Sequence, residues 1–250
     1  MIAAILKETT AGENRVSATP QTVKELIKSG LTVRVQTGAG DASHYPDQDY
    51  QNAGAEICVD AAATSDNAHI ILKVASPTIE EMDLIPNGAA FVSLFQTTRE
   101  IKQVKALTNK NITGFSMHLI PRTTLAQSMD ALSSQANIAG YKSVLIGAAH
   151  LPVYMPLLMT AAGTIPPAKV MILGAGVAGL QAIATAKRLG AQVEAFDVRP
   201  EVKEQVESLG AKFVEVDSDV DDGVGEGGYA KETSDDYKQR QQELIKQHIA

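Results

Sequence analysis

Three glycines, at positions 174, 176 and 179, have the spacing G-x-G-x-x-G between an apolar run at 170–173 and a helical pattern. In this setting the first glycine permits a tight turn, the second lets a pyrophosphate approach the backbone, and the third allows the helix to pack closely on the strand. The helix N-terminus then offers free N–H groups and a positive dipole to the phosphates. This pattern predicts a dinucleotide-binding turn made of Gly174, Ala175, Gly176, Val177, Ala178 and Gly179.

Asp197 ends the next apolar run, about 20 residues after the glycines, where a carboxylate can accept hydrogen bonds from the adenosine ribose. The same carboxylate would repel the 2′-phosphate of NADP, by about 1 kcal/mol in water and by more where water is excluded. Arg199 could offset that repulsion unless strand alternation turns its side chain elsewhere. We therefore expect NAD rather than NADP, bound in part by Asp197, Val198 and Arg199.

A second group of polar side chains lies in PRTTLAQSMDALSSQANIAGY, residues 121–141, where amides and hydroxyls replace the Lys and Glu of an ordinary surface helix. If the segment is one helix, helical periodicity gives it a polar stripe of Gln127, Asp130, Ser134 and Asn137. Uncharged polar groups suit a face that binds a ligand while shedding water. Thr124 and Gln127 also match a capping box, so the spacing leaves both roles of Gln127 open.

Composition argues against several classes of protein. The net charge of −7 disfavours a phosphate-backbone partner, and the aromatic content of 4% with no Trp disfavours a stacking-based nucleic-acid binder. Cys58 is the only cysteine, which excludes an internal disulfide and is consistent with a reducing compartment. The histidines have no metal-ligand spacing, so we expect no metal site and no nucleic-acid partner.

One apolar run, at 144–165, has a length that would suit a bilayer, but His150, Pro152 and Pro156 interrupt it. We expect a buried helix there, bent or broken at the prolines, and no membrane span in this chain. The N-terminus MIAAILKETT lacks a basic segment before its apolar run, so it is typical of a first strand rather than of a signal peptide.

Short apolar runs alternate with helical patterns, which predicts parallel sheets with helices on their faces. Strands are predicted at 2–6, 31–36, 70–74, 89–95, 112–115, 169–173, 192–196 and 212–216, with helices at 20–30, 178–189 and 200–209. The fold class is α/β: two Rossmann-like parallel-sheet domains joined by a long helical connector. We place the domains at 1–125 and 165–250, with the connector at 126–164.

The texture changes at residue 217, where the sequence becomes acidic and rich in glycine. A long loop is expected there, followed by a helix at 236–250. No further strand follows this helix, so the second domain is expected to be incomplete at its C-terminus.

Several stretches together resemble one family. RTTLAQSMDALSSQANIAGY, TAAGTIPPAKVMILGAGVAGLQAI and AFDVRPEVKEQVESLGAKF are similar to the NAD(H)-binding component of proton-translocating nicotinamide nucleotide transhydrogenase. ENRVSATPQTV and ILKVASP extend the similarity to the N-terminal region, which that family shares with alanine dehydrogenase. The resemblance covers essentially the whole chain in the family's order.

The resemblance implies that the polar segment faces the nicotinamide half of NAD(H). Arg122 and Gln127 would contact the dinucleotide and an NADP(H) held by a partner domain, whereas Asp130 and Ser133 would orient the nicotinamide carboxamide and ribose. The tract around Tyr229 would form a mobile loop that closes over bound nucleotide. Hydride would pass directly between the two nicotinamides, so protein side chains would supply orientation rather than acid or base chemistry.

The resemblance also implies partners and a location. The chain would work with NADP(H)-binding and membrane-spanning domains that couple hydride transfer to proton movement, and it would form a homodimer. It would be a cytoplasmic protein, peripheral on the inner face of a bacterial inner membrane.

Alanine dehydrogenase is the alternative. Its family uses an arginine, a lysine and a histidine for the keto acid, and Arg15 and Lys73 stand at the matching positions. Gln96 stands where the histidine belongs, and glutamine cannot cycle a proton near neutral pH. Arg15 and Lys73 are therefore expected to hold structural ion pairs. A third possibility is a truncated nucleotide-binding module without activity of its own.

Overall fold

Two parallel sheets organise the chain, whose computed structural model describes residues 1–216 and 235–249. Each sheet belongs to one of two units, Met1–Met129 and Asp130–Ala250. All pairings within both of these sheets are parallel, as expected when helices connect successive strands. The α/β class with Rossmann-like parallel sheets is thus confirmed.

The first unit has a six-stranded sheet with the order β3-β2-β1-β4-β5-β6. Its strands are β1 (Ile2–Ile5), β2 (Thr32–Gln36), β3 (Glu56–Cys58), β4 (Ile70–Leu72), β5 (Ala90–Ser93) and β6 (Thr113–Ser116). Its helices are α1 (Pro20–Lys28), α2 (Asp47–Asn52), α3 (Ala61–Ser65), α4 (Ile79–Asp83) and α5 (Ile101–Asn109). The strand order reverses between β1 and β4, which is where ligands bind in open α/β sheets.

Alternate side chains of the central strand β1 enter different hydrophobic clusters. Ala4 and the adjoining Leu6 pack with Phe91 and Ile71 in one cluster, whereas Ile5 packs with buried residues such as Val23 in another. Successive side chains of a strand point to opposite faces, so this sheet is buried on both of its faces. Such strands are continuous apolar runs, and for this reason the sequence predicted them.

The second unit has a three-stranded sheet, β11-β10-β9, and a separate two-stranded antiparallel hairpin. The hairpin is β7 (Leu158–Thr160) and β8 (Gly163–Ile165); the parallel strands are β9 (Lys169–Leu173), β10 (Gln192–Phe196) and β11 (Lys212–Val214). The helices are α6 (Ala131–His150), α7 (Val177–Arg188), α8 (Lys203–Ser208) and α9 (Asp235–Ile249). The predicted C-terminal helix is therefore present, while the predicted loop between β11 and α9 lies outside the described residues.

The polar segment 121–141 is not one helix, so the predicted stripe from Gln127 to Asn137 is wrong. A 3₁₀ helix spans Thr124–Met129, and α6 begins only at Ala131. Asp130 is the N-cap, because its carboxylate accepts a hydrogen bond from the Ser133 N–H at 2.9 Å. An N-cap residue has a non-helical backbone, which interrupts the helical periodicity at this point. The start of α6 beyond Asp130 also removes the expected cap by Gln127.

The expectation of a buried helix over 144–165 is also wrong. The helix α6 ends at His150, and the hairpin of β7 and β8 follows. Pro152 and Pro156 cannot donate backbone hydrogen bonds, so they stop the helix. The side chains of the hairpin are exposed rather than buried. No helix within residues 1–216 and 235–249 is both long and apolar enough to cross a membrane.

Candidate dinucleotide-binding site

The turn between β9 and α7 requires glycine at two of its predicted positions. Gly174 has a positive φ of 95°, a conformation that side chains rarely adopt. A Cβ on Gly179 would stand 1.7 Å from the carbonyl oxygen of Gly174, so only glycine lets the helix approach the strand this closely. The local sequence thus builds the tight turn and the close packing that were predicted for it.

The start of α7 is open to an anion. Gly176 is its N-cap, with extended backbone and no side-chain hydrogen bond to the helix. The helix runs through twelve residues, Val177–Arg188, and the first N–H groups of an α-helix have no partner inside the helix. These N–H groups and the helix dipole suit a pyrophosphate. The turn therefore fits the phosphate part of a dinucleotide.

Asp197 is held beside this turn. It follows the last residue of β10, and its Oδ2 accepts a hydrogen bond of 2.7 Å from the Ala175 N–H. A backbone hydrogen bond of 2.7 Å from the Gly174 N–H to the Phe196 oxygen fixes the same approach. The sequence placed the carboxylate and the glycines at one edge of the sheet, and the structure brings them into direct contact.

Arg199 pairs with Asp197 instead of turning away from it. Its Nε and Nη2 atoms donate to the two carboxylate oxygens at 2.9 Å each, and its backbone N–H donates to Oδ1 at 2.9 Å. Burial opposes ionisation of Asp197, but the hydrogen bonds from Arg199 and Ala175 outweigh it and hold the pKa of Asp197 below its ordinary 3.8. Asp197 is therefore an ionised, buried carboxylate at neutral pH.

Other predicted residues of this site are placed less directly. Val177 and Ala178 form the first turn of α7, and Val198 connects Asp197 with Arg199. Tyr229 lies outside the described residues. Sequence reasoning missed Tyr237 on α9, whose pKa is raised by burial and by the charge of nearby Asp197.

Gly140 is a second residue that sequence reasoning missed. A Cβ at Gly140 would stand 2.0 Å from the carbonyl oxygen of Ala178, so α6 and the first turn of α7 are in van der Waals contact. One position-specific hydrogen bond, from Asn137 Nδ2 to Gln181 Oε1 at 3.1 Å, also joins these helices. The helix that begins at Asp130 is thereby fixed to the phosphate-binding end of α7.

The four residues predicted for the nicotinamide half lie on both sides of the boundary between the units. Arg122 and Gln127 are exposed residues of the first unit. Asp130 and Ser133 belong to the second unit, where Asp130 Oδ2 accepts a hydrogen bond of 2.6 Å from the Ser133 hydroxyl. Of this set, the structure brings Asp130 and Ser133 together.

Arg15 and Lys73 hold internal ion pairs, as predicted. Arg15 binds the Glu13 carboxylate at 2.7 Å, and its hydrogen bonds lower the pKa of Glu13. Lys73, with a side chain only 1% exposed, lies 2.5 Å from Glu81 and 3.8 Å from Glu8. Burial raises the pKa of Glu8. Two groups that could hold a keto acid are thus occupied by carboxylates of the chain itself.

The comparison with protein-family models covers nearly all of the sequence. Residues 4–139 match the alanine dehydrogenase/PNT N-terminal domain, and residues 143–250 match the alanine dehydrogenase/PNT C-terminal domain. The chain belongs to the alanine dehydrogenase/PNT family.

Relatives within the alanine dehydrogenase/PNT family are of two kinds. An NAD(P) transhydrogenase subunit alpha chain of Rhodospirillum rubrum is 45% identical, over 99% of this chain and 67% of its own length. A crystal structure of transhydrogenase from Sinorhizobium meliloti is 47% identical with a TM-score of 0.83, over 86% of this chain and 64% of its own. Alanine dehydrogenase of Methanococcus maripaludis is 32% identical, over 79% of this chain and 53% of its own length.

These values favour the transhydrogenase branch over the alanine dehydrogenase branch. The chain spans about two thirds of the length of the transhydrogenase chains described above.

Proposed function

We propose that the chain is the NAD(H)-binding component of a proton-translocating transhydrogenase, which exchanges hydride between NAD(H) and NADP(H). The observation that carries the proposal is the contact of the buried, ionised Asp197 with Ala175 in the glycine turn. It places a ribose-binding carboxylate beside a phosphate-binding helix N-terminus, which is the arrangement that a dinucleotide needs.

Each part of the turn has its own task in this proposal. The N–H groups at the start of α7 bind the pyrophosphate, and the lack of a side chain at Gly176 lets it approach the backbone. Asp197 binds the adenosine ribose and disfavours a 2′-phosphate by charge repulsion. Val198 and Arg199 line the same half of the site, and Tyr229 closes over the nucleotide. NAD(H) itself supplies the hydride chemistry when bound.

The polar segment serves the other half of the nucleotide. Asp130 and Ser133 orient the nicotinamide carboxamide and ribose, and Arg122 and Gln127 approach both this nucleotide and the NADP(H) of a partner domain. The Asp130 carboxylate and the Ser133 hydroxyl support this role, because they are already joined at 2.6 Å at the start of α6. A pair held in this way loses little rotational freedom when it binds a ligand.

The proposed assembly includes NADP(H)-binding and membrane-spanning partners, and it places the chain on the cytoplasmic face of a bacterial inner membrane. We also propose a homodimer. Its support is a set of large apolar side chains exposed on α6 and the hairpin: Ile138, Tyr141, Ile146, Leu158, Met159 and Ile165. Large exposed apolar patches mark interaction surfaces in soluble proteins.

Two observations weigh against an alanine dehydrogenase activity. Gln96 replaces the histidine that such chemistry needs as acid and base, and Glu13, Glu81 and Glu8 neutralise Arg15 and Lys73. An assay of alanine-dependent NAD reduction tests this directly. A rate above background that is lost in Lys73→Met would support alanine dehydrogenase instead.

The test of the main proposal is a fluorescence titration of NADH into the chain, with NADPH as the control nucleotide. Saturable binding of NADH, together with binding of NADPH that is at least about tenfold weaker, is expected from the charge of Asp197. The variant Asp197→Asn should lower the affinity for NADH and reduce the preference over NADPH. Binding of neither nucleotide would contradict the proposal.

A further inference from the structure

The carboxylate of Asp197 is fully engaged. Oδ1 accepts hydrogen bonds from the backbone N–H and the Nε of Arg199, both at 2.9 Å. Oδ2 accepts from the Ala175 N–H at 2.7 Å and from Nη2 of Arg199 at 2.9 Å. An ionised carboxylate offers about four acceptor positions, so these donors fill them. Two of the four come from the guanidinium of Arg199.

Arg199 also limits access to Asp197. The carboxylate side chain is 5% exposed, and the arginine side chain that covers it is 16% exposed. A ribose diol that binds this carboxylate needs acceptor positions that the guanidinium now occupies. Binding of ribose therefore requires the guanidinium to leave at least one carboxylate oxygen.

An alternative partner for the guanidinium lies close by. The Nη2 atom of Arg199 is 3.9 Å from the position that a Cβ on Gly176 would take, so the guanidinium stands beside the N-terminus of α7. A pyrophosphate at that N-terminus would be within reach of the same group. Arginine binds phosphate oxygens as well as carboxylates, often with two parallel hydrogen bonds.

We infer that Arg199 is a specificity-determining residue that couples ribose binding to phosphate binding. It occupies Asp197 in the free protein and exchanges the carboxylate for the pyrophosphate when a dinucleotide binds. This inference rests on the proposed function of the site. A nucleoside must break the Asp197–Arg199 pair and offers the guanidinium nothing in return, whereas a nucleotide with a pyrophosphate offers a new partner. The residue thus selects nucleotides that carry a pyrophosphate.

The test compares adenosine with ADP as ligands of the full chain and of Arg199→Met, which removes the guanidinium but keeps an unbranched side chain. Adenosine should bind the variant about tenfold more tightly, because charge-assisted hydrogen bonds no longer have to be broken. ADP should bind the variant no more tightly than it binds the unmodified chain. An unchanged ratio of the two dissociation constants would overturn the inference.

Lys203→Met is the matched control, because Lys203 is a cation that also follows β10 but pairs with Glu215 at 2.7 Å. It should leave the affinity for adenosine unchanged. An equal change of the adenosine-to-ADP ratio in both variants would mean a general effect of charge, and this too would overturn the inference.

A second measurement needs no variant protein to fold well. In ¹⁵N-labelled chain, the Nε–H signal of Arg199 should exchange with solvent faster when adenosine saturates the site; Arg199→Met serves only to assign the signal. Unchanged exchange at saturation would overturn the inference. If NADH binds the unmodified chain but these results fail, only the role of Arg199 is wrong. If NADH, ADP and adenosine all fail to bind, the proposed function fails with it.

Discussion

Gly140 lies against the carbonyl oxygen of Ala178 so closely that a Cβ at Gly140 would stand 2.0 Å from that oxygen. The contact joins α6, which starts at Ala131 after its Asp130 cap, to the first turn of α7, which carries the predicted phosphate-binding N–H groups. Two segments that are distant in sequence thereby share one rigid contact within the second unit.

This contact predicts that Gly140→Ala destabilises the protein by about 1–3 kcal/mol, the usual cost of overpacking. The control is Gly147→Ala on the same helix, where a Cβ would meet nothing within 4 Å. That change should be neutral or raise the free energy of unfolding by up to about 1 kcal/mol, because alanine favours helix. Urea denaturation of both variants measures the difference; equal stabilities would contradict the close contact.

Gly176→Ala should separate binding from folding. The backbone there is extended and a Cβ would be 3.9 Å from Arg199 Nη2, so the free energy of unfolding should change by less than about 0.5 kcal/mol. The methyl group would stand where a pyrophosphate must approach the backbone, so the affinity for NADH should fall by about tenfold or more. Full affinity in a well-folded variant would argue against a pyrophosphate at this turn.

Gly179→Ala is the contrasting change at the same turn. A Cβ there would be 1.7 Å from the Gly174 oxygen, so this variant should lose stability as well as binding. Thermal unfolding followed by circular dichroism distinguishes the two glycines.

The ion pair of Asp197 should make stability depend on acid pH. Its pKa is lower in the folded protein than the ordinary 3.8, so the unfolded chain binds the proton more tightly. The contribution of Asp197 is therefore complete above that value and is lost as the pH falls through the folded-state pKa. The stability gap between the unmodified chain and Asp197→Asn should be constant at about pH 5–7 and narrow below about pH 4. A gap that stays constant or widens at low pH would disprove this assignment.

Lys73→Met should be strongly destabilising, by about 3–5 kcal/mol at neutral pH, because it leaves Glu8 and Glu81 without their buried counter-ion. The loss should grow as the pH rises from about 4 to 7, as the two carboxyl groups ionise. The double variant Lys73→Met/Glu81→Gln should recover part of the stability, which chemical denaturation would measure. Loss of Lys73 without any effect would show that the buried pair is not formed.

Some features followed from local sequence and were predictable for that reason. The strands β1, β2, β9 and β10 are apolar runs because they are buried in parallel sheets, and buried strands need such residues. By contrast, β3 (Glu56–Cys58) was missed, since three residues carry too little periodicity to be recognised. The hairpin at 158–165 was missed because its apolar residues are exposed, which the sequence pattern does not reveal.

The boundary at Asp130 depended on a competition that the sequence leaves open. Both Thr124 with Gln127 and Asp130 with Ser133 have the spacing of a helix cap. Asp130 caps the long helix in the structure, and the 3₁₀ helix stays short.

The sequence by itself determined that glycines lie between β9 and α7 and that a carboxylate follows β10. Glycine spacing and strand periodicity are properties of short segments, so they can be recognised without the fold. Only the tertiary structure decided that Gly140 packs on Ala178 and that Asp197 is already bound by Arg199 and Ala175. Those contacts depend on distances between segments and on side-chain directions, which are set when the sheet and its helices pack together.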